Sequence, residues 1–260
     1  MKLSLSELKN ILDGEIKNVN EENLDFFDVS SDTRTLEEAS LFIPLVGENY
    51  DGHDFIEKAF EKGASLTLSE KEVEWPCFIV KNTKEAYKKI AAYYKDKINP
   101  ITIAITGSVG KTTTKEIISK VLKTKYKVHT TYKNFNNEIG VAKTILELNK
   151  DNEVLVIELG MDHFGEMHAL SKMVQPNYIV LTNIGMSHVG NFNSLDDIAK
   201  AKFEIFDFCK DNCIAIINGD DLIIDEKIKE FNYERKTYGS SQGLDGKFSN
   251  FKSKGILEPR

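Results

Sequence analysis

Several features that define other protein classes are scarce in this sequence. Its three cysteines, Cys77, Cys209 and Cys213, cannot all pair and show no C-x-x-C spacing, which disfavours a disulfide scaffold or a thiolate metal site. We interpret them as buried thiols in a reducing compartment, with a redox or metal role as the alternative. No run of about 18 apolar residues is present, and the first ten residues lack the apolar stretch of a signal peptide. We therefore expect a cytoplasmic protein without membrane insertion.

Positive charge is also in deficit. The chain has 34 Lys and Arg against 41 Asp and Glu, and its net charge of −7 argues against nucleic acid or an anionic membrane as the main partner. Small anionic ligands stay compatible with this balance, because local groups bind them. The composition is that of a globular protein, with 41% hydrophobic and 29% charged residues, and 260 residues suffice for two domains.

The chain changes character near residue 98. Before that point, short apolar runs predict strands and 3.6-residue spacing predicts helices. The predicted strands cover 41–47, 65–69 and 77–82, and the predicted helices cover 4–12, 53–62 and 83–97. Pro100 disfavours a helical conformation at Asn99, and the composition then becomes strongly apolar. We therefore predict an N-terminal domain over 1–98 and a second domain over 99–260.

The second domain alternates apolar strands with segments of helical length. The predicted strands are ITIAIT, KVHTT, EVLVIELG, NYIVLTNIG and NCIAIING. Continuous apolar strands alternating with helices predict an α/β fold, with a mostly parallel sheet covered on both faces. The final segment, 240–260, has three glycines and little periodicity. We therefore expect this domain to be incomplete.

A glycine loop follows the first of these strands, in the segment IAITGSVGKTTTKE. The common P-loop has a glycine five residues before the glycine of G-K-T, but here Ile105 holds that position and Gly107 is the nearest upstream glycine. A strand, a glycine turn and a helix N-terminus bring backbone N–H groups around one anion. Lys111 would contact the β- and γ-phosphates, and Thr112 would offer a hydroxyl to Mg²⁺. We predict a nucleotide-binding loop, with a chance G-K-T before Thr113 as the alternative.

Three further polar residues lie at or near the positions where ligands bind in open α/β sheets. Glu158 ends the strand VLVIE, which suits a Mg²⁺ ligand or a residue that organises water, with a surface glutamate as the alternative. His188 follows the next strand and is equally compatible with a structural role. Lys202 lies on a helical stretch, and the pattern alone favours a solvated surface lysine.

Five ordered segments resemble the Mur ligase superfamily, whose loop has the short form G-[ST]-x-G-K-[ST]-[ST]. They are GSVGKTTTKE, NFNNEIGV, IELGMDHFGE, NIGMSHVGNF and AKAKFEIF. The segment 30–64, which begins SSDTRTLEEASLFIPLVG, is similar to the superfamily's domain for the UDP-sugar. The motifs resemble most the branch that adds D-Ala-D-Ala to UDP-N-acetylmuramoyl-tripeptide. The branch that adds the diamino acid is the nearest alternative, and a folate-polyglutamating relative or a kinase is more distant.

The resemblance implies an ATP-dependent amide ligase of peptidoglycan precursor synthesis that works through an acyl phosphate. Its fold would be a small α/β domain for the UDP-substrate, followed by a P-loop-type ATPase domain. Its ligands would be ATP, two Mg²⁺ ions, UDP-N-acetylmuramoyl-tripeptide and D-Ala-D-Ala, bound by a monomer. The superfamily's third domain, which binds the dipeptide and closes over ATP, has no counterpart in the sequence. We therefore expect this chain alone to bind its ligands without turnover.

The resemblance also implies a role for individual residues. The implied catalytic residues are Lys111, Glu158, His188 and Lys202. The implied ATP contacts are Gly107, Ser108, Gly110, Lys111, Thr112 and Thr113. The implied UDP-substrate contacts are Ser31, Thr33, Arg34, Gly47, Asn136 and Asn137. The implied metal ligands are Thr112, Glu158, His188 and Lys202. Lys202 would be carbamylated, which overrides its interpretation as a surface lysine. Val109 departs from the superfamily, where asparagine or serine is frequent, so we expect one polar side-chain contact to be absent.

Overall fold

The computed structural model describes residues 3–19, 24–47, 49–186 and 190–248. The strands in those ranges are β1 (Leu3–Ser4), β2 (Glu15–Lys17), β3 (Asp25–Phe26), β4 (Asp28–Ser30), β5 (Ser40–Phe42), β6 (Ala64–Ser69), β7 (Cys77–Ile79), β8 (Ile101–Thr106), β9 (Val128–Thr130), β10 (Val154–Glu158), β11 (Tyr178–Leu181), β12 (Ile214–Asn218), β13 (Glu234–Gly239) and β14 (Gly246–Lys247). The α-helices are α1 (Leu5–Ile11), α2 (Ile56–Glu61), α3 (Thr83–Ile98), α4 (Lys111–Leu122), α5 (Glu138–Leu146), α6 (Glu166–Val174), α7 (Leu195–Phe203) and α8 (Leu222–Lys227). Short 3₁₀ helices cover Gly52–Phe55, Glu204–Phe206 and Ile228–Glu230.

The described residues divide into two compact units. The first contains the residues up to Ile101 together with Leu122–Leu155, and the second contains Thr102–Val121 together with the residues from Val156 onward. The boundary near residue 98 stays a prediction. In the described ranges, no helix is both long and apolar enough to cross a membrane.

The first unit contains a five-stranded sheet in the order β2-β7-β6-β5-β4. Strand β2 pairs antiparallel with β7, and the other pairings are parallel. Helix α2 packs on this sheet through Ile56 and Ala59, which form a buried cluster with Phe42 and Ala64. The core of this unit therefore lies between α2 and the sheet.

Helices α3 and α5 also belong to the first unit and are fixed to each other by polar contacts. Lys84 and Lys88 of α3 pair with the Glu138 carboxylate of α5 at 2.8 and 2.9 Å. The Tyr94 hydroxyl donates to the Leu148 carbonyl at 2.9 Å, just beyond the end of α5. Because both ends of α5 are held, the side chains along it have defined positions in the unit.

The larger sheet has seven strands in the order β14-β13-β12-β11-β8-β10-β9. Every pairing from β14 through β8 is parallel. Leu181 of β11 is in register with Thr106 of β8 and with Ile217 of β12, so these strands end at a common edge. Ligands bind at this edge of parallel α/β sheets. The predicted α/β fold with a mostly parallel sheet is confirmed.

One sequence-based element prediction is wrong, and two strands were not predicted. The strand predicted over 41–47 ends at Phe42, because Pro44 has no N–H for a sheet and Val46 makes only an isolated bridge with Asp51. No strand was predicted after β12, and β13 and β14 extend the larger sheet there. Strand β13 reads ERKTYG, which lacks the apolar alternation that would reveal a strand.

Candidate functional site

The predicted nucleotide loop joins β8 to α4 in the second unit. Gly107 and Gly110 have φ values of 148° and 85°, which L side chains rarely adopt. A Cβ atom on Gly107 would stand 2.0 Å from the Thr182 hydroxyl oxygen, so no larger residue fits there. A Cβ atom on Gly110 would meet nothing within 4 Å, so only the backbone conformation favours glycine at that position. The loop therefore needs its two glycines for different reasons.

Residues that follow β11 hold this loop in place. The Asn183 side chain accepts from the N–H of Val109 and donates to the carbonyl of Val109, both at 2.9 Å. The Thr182 hydroxyl donates to the same carbonyl at 2.7 Å. The Ser108 hydroxyl donates to the Gly185 carbonyl at 2.8 Å and accepts from the Gly185 N–H at 2.9 Å. Five hydrogen bonds therefore hold the loop, and none of them involves the Val109 side chain.

Sequence reasoning missed Thr182 and Asn183 as loop supports. Both follow an apolar strand that ends at the ligand-binding edge, which is the signal that identified Glu158. The same rule could therefore have placed the segment LTN at this edge of a sheet, but not beside the nucleotide loop.

Lys111 is the first residue of α4 and is half-buried. Its Nζ donates to the carbonyls of Gly107 and Ser108 at 2.7 and 3.3 Å. Burial lowers the pKa of Lys111, and the negative charge of Glu158 opposes that shift. A phosphate held by the loop amides would give this amine an anionic partner in place of the two carbonyls.

Two predicted magnesium ligands are in contact. The Thr112 hydroxyl donates to the Glu158 carboxylate at 2.8 Å. Glu158 ends β10 and is 2% exposed, whereas Thr112 is exposed on the first turn of α4. Thr113, the neighbouring ATP contact implied by the resemblance, is exposed as well. The structure therefore brings Glu158 to the beginning of α4.

Lys202 lies on α7 and is 1% exposed, so the surface position favoured by the helical pattern is wrong. Burial lowers the pKa of Lys202 to about 8; the positive charge of Lys111 acts in the same direction and Asp162 opposes it. Lys111, Asp162 and Lys202 therefore lie within electrostatic range of one another. At pH 8 about half of the Lys202 amines would be neutral.

The predicted metal set is only partly described. Thr112, Glu158 and Lys202 lie within the described ranges, and His188 lies outside the described residues. Among the described residues, no group of three His, Cys, Asp or Glu side chains is placed to hold a metal ion. The Thr112–Glu158 pair is therefore the part of the predicted metal set for which the structure shows direct contact.

The first unit contains a cavity of about 460 Å³ lined by three of the predicted UDP-substrate residues, Ser31, Thr33 and Arg34. Ligand cavities range from about 300 to 1,000 Å³. The aromatic rings of Tyr50 and Phe55, which are 60% and 42% exposed, also line this cavity. The Tyr50 ring packs over Gly47, where a Cβ atom would stand 2.5 Å from it. Gly47, the fourth predicted residue of this domain, therefore leaves room for the Tyr50 ring.

Arg34 is held by Asp32, which sequence reasoning also missed. Nε and Nη2 of Arg34 donate to the two carboxylate oxygens at 2.9 and 2.7 Å, and the Arg34 N–H donates to Oδ1 at 2.9 Å. Hydrogen bonds from the Arg34 side chain lower the pKa of Asp32 to about 2, and the positive charge of Lys143 adds to the shift. The Asp32 and Arg34 charges therefore compensate each other at the cavity wall.

A second cavity of about 330 Å³ in the same unit shares Ser31, Asp32 and Lys143 with the first. Its remaining charged lining residues are acidic: Asp28, Glu37 and Glu147. Burial raises the pKa of Asp28, and the negative charge of Glu37 adds to the shift. The cavity of 460 Å³ therefore has the basic lining, and the cavity of 330 Å³ has the acidic one.

Asn136 and Asn137 line neither of these two cavities. Asn137 caps α5, because its Oδ1 accepts from the Gly140 N–H at 2.9 Å. Gly140 packs against the backbone of Phe135, where a Cβ atom would stand 2.7 Å away. Part of the NFNNEIGV motif therefore shapes the start of α5, and the substrate contacts of Asn136 and Asn137 stay predictions.

We expect Gly107→Ala to lower the free energy of unfolding by about 2–4 kcal/mol. The added methyl group would meet the Thr182 hydroxyl, and a φ of 148° is strained for alanine. Urea unfolding followed by circular dichroism measures the change. Gly110→Ala is the matched control, since it adds strain in open space and should cost about 1–2 kcal/mol. Equal losses in the two variants would show that the contact with Thr182 is not what requires glycine at position 107.

Two family models match the chain. Residues 105–256 match the Mur ligase middle domain, and residues 28–105 match the Mur ligase family, catalytic domain. The chain is 38% identical over 250 residues to UDP-N-acetylmuramoyl-tripeptide--D-alanyl-D-alanine ligase of Bacillus subtilis (strain 168), covering 94% of this chain and 54% of that protein. This chain therefore spans about half the length of the curated relatives it matches.

Solved structures agree with these matches. MurF from Acinetobacter baumannii superposes with a TM-score of 0.86 at 30% identity, covering 94% of this chain and 55% of that one. MurF ligase from Thermotoga maritima in complex with ADP superposes with a TM-score of 0.78 at 31% identity, covering 84% and 51%. The middle-domain match spans more than half of the sequence and includes the nucleotide loop, Glu158 and Lys202. The chain belongs to the Mur ligase family.

Proposed function

We propose that this chain provides the ATP-binding and UDP-substrate-binding parts of an ATP-dependent amide ligase. The ligase would add D-Ala-D-Ala to UDP-N-acetylmuramoyl-tripeptide in peptidoglycan precursor synthesis. The observation that carries the proposal is the nucleotide loop, with Lys111 against its carbonyls and Thr112 against Glu158. The identity to a ligase of that name supports the substrates, and the ADP in the Thermotoga maritima structure supports the nucleotide.

The proposed reaction has two steps. The terminal carboxylate of the tripeptide attacks the γ-phosphorus of ATP, so that a carboxyl–phosphate bond forms as the bond to ADP breaks. The amine of D-Ala-D-Ala then attacks the acyl carbon, loses a proton and expels inorganic phosphate as the amide forms. Two anions meet in the first step, which requires concentrated positive charge. Lys111 and the N-terminal amides of α4 would supply it, without an enzyme nucleophile.

Thr112 and Glu158 fit a magnesium ion, because both offer oxygen donors and their oxygens lie 2.8 Å apart. Mg²⁺ bound there would neutralise charge on the phosphoryl oxygens of ATP. We propose a second ion held in part by a carbamate on Lys202. His188, outside the described residues, is proposed as a further ligand.

The carbamate proposal depends on the surroundings of Lys202. The neutral amine would attack CO₂ to form an N–C bond, and the released proton would pass to solvent. The product has anionic oxygens, which Mg²⁺ accepts as ligands. Burial and the nearby Lys111 lower the pKa of Lys202 to about 8, which supports formation of the neutral amine near neutral pH.

The cavity of 460 Å³ is the proposed site for the UDP group. Its polar wall contains Ser31, Thr33 and Arg34, and its exposed rings, Tyr50 and Phe55, offer flat surfaces for a base. Half of the residues that line this cavity are polar or charged, and convergent polar groups fix the orientation of a ligand in small-molecule sites. These features support a nucleotide-sugar as the ligand of the first unit.

Calorimetric titration with UDP-N-acetylmuramoyl-tripeptide tests this proposal, with the dipeptide form as the control ligand. We expect the tripeptide form to bind more tightly, because the peptide's third residue would add contacts. Tighter binding of the dipeptide form would contradict the assignment and favour a diamino-acid-adding ligase. If neither form binds, the UDP-substrate site is wrong. The nucleotide loop is tested separately, by titration with MgATP.

A further inference from the structure

Two lysines line the proposed UDP cavity without a role in the resemblance to the family. Lys58 is on α2 and Lys143 is on α5. Within the part of the chain that the structure describes, neither amine forms an ion pair with a carboxylate. Lys143 is four residues before Glu147, a spacing that permits pairing on a helix, yet no such pair forms. Both lysine charges are therefore available to a ligand.

The charges around this cavity are unbalanced. Asp32, Arg34, Lys58 and Lys143 are its charged lining residues. Both carboxylate oxygens of Asp32 accept hydrogen bonds from Arg34, so the charges of these two residues compensate each other. The two lysines are left as net positive charge facing the cavity, and a sugar-linked diphosphate has one negative charge on each phosphate. The charges of the cavity and of such a ligand would therefore balance.

Lys143 is the better placed of the two lysines. It is half-buried, whereas Lys58 is exposed, and it belongs to the wall shared by both cavities of the first unit. Its Nζ lies over the Phe135 ring, 5.7 Å from the ring centroid. A cation over an aromatic face is attracted to it, so this contact restricts where the amine can be. An amine restricted in this way loses less conformational freedom on binding a phosphate than an unrestricted amine does.

We propose that Lys143 and Lys58 bind the diphosphate of the UDP-substrate, with Lys143 as the stronger contact. The proposal rests on the proposed function of the same cavity. Lysine binds phosphate as a point charge through charge-assisted hydrogen bonds. Arg34 would then act mainly by keeping the Asp32 carboxylate away from the diphosphate, because its Nε and Nη2 are occupied by that carboxylate.

Lys143→Met removes the charge and keeps an unbranched apolar side chain. We expect it to weaken binding of UDP-N-acetylmuramoyl-tripeptide about tenfold in calorimetry, and Lys58→Met to weaken it about threefold. Both variants should also show a weaker salt dependence of affinity than the wild type, because they remove a charge that contacts the ligand. A packing role for the lysine stem would not change the salt dependence. Lys143→Gln tests the same charge if the methionine variant fails to fold.

Lys150→Met is the matched control, since Lys150 is an exposed lysine just beyond α5 and lines neither cavity. Its affinity and salt dependence should equal those of the wild type. Wild-type affinity and salt dependence in both position-143 variants would overturn the lysine assignment and leave the UDP site standing. Failure of the wild type to bind the UDP-substrate would overturn the proposed function and this assignment together.

Discussion

Lys111→Met should weaken the binding of MgATP about 10- to 100-fold and leave the binding of UDP-N-acetylmuramoyl-tripeptide unchanged. The Lys111 amine is half-buried against the Gly107 and Ser108 carbonyls at the start of α4, so it is the cation of the loop itself. A hydrogen bond to a charged group contributes about 1.5–3 kcal/mol, which corresponds to this range of affinity. The UDP cavity is lined by residues of the first unit only, so the variant leaves it intact. Titration with each ligand in turn measures both effects.

Lys120→Met on the same helix is the matched control for this prediction. Lys120 is exposed and lies in the last turn of α4, so its charge should not contribute to phosphate binding. Unfolding curves of both variants establish that α4 still forms. An equal loss of UDP-substrate affinity in Lys111→Met would contradict the division of the two ligands between separate sets of residues.

The nucleotide loop could be predicted because its parts are contiguous in the sequence. A strand, two glycines, a lysine and a helix follow one another within Ile101–Leu122, and each supplies a local signal. The residues that hold the loop, in contrast, are not contiguous with it in the sequence. Thr182 and Asn183 reach Val109 because β11 is next to β8 in the sheet, with Leu181 in register with Thr106. No local sequence pattern reveals the order of the strands in a sheet, so these supports could not be assigned from sequence alone.

Lys202 illustrates a different limitation, because the local sequence pattern predicted the wrong environment for it. A lysine among alternating polar and apolar helical residues indicates a solvated position, but Ile198, Ala199, Ala201 and Phe203 of α7 are also buried. A helix buried on several sides keeps only a narrow exposed face for charges, and on α7 that face carries Asp196 and Lys200. Local rules are expected to fail at functional sites, and Lys202 is proposed to belong to one. Only the resemblance of the surrounding motif distinguished this lysine from a surface residue.

The proposed UDP cavity could be predicted in part from the sequence. The segment SSDTR suggested Ser31, Thr33 and Arg34, and all three line the cavity. The Asp32–Arg34 pair was within reach of sequence reasoning, since the two residues are two positions apart. Lys143 could not be assigned to the cavity from the sequence, because it is more than 100 residues from that segment. It reaches the cavity only through the packing of α5 on α3.

Lys202→Met should stabilise the unmodified chain at pH 7 by about 3 kcal/mol. The pKa of Lys202 is lowered from 10.5 to about 8 in the folded state, mainly by burial, so folding buries a charge at pH 7. The folded chain binds fewer protons than the unfolded chain between pH 8 and 10.5, and wild-type stability therefore rises with pH through that window. The advantage of the variant should be complete below pH 8 and should vanish near pH 10.5. Urea unfolding in CO₂-free buffer across this range measures it.

The same substitution should remove the proposed site of carbamylation. With ¹³C-labelled bicarbonate, the wild-type carbon spectrum should gain a carbamate resonance, and Lys202→Met should lack it. Lys200→Met is the matched control: Lys200 is on the same helix but exposed, and pairs with Asp196 at 2.7 Å, so that variant should keep the resonance. A carbamate signal that survives in Lys202→Met would place the modification on another amine. If the variant gains stability and loses the carbamate, then the wild-type α7 keeps a destabilising buried charge at a residue that can form a metal ligand.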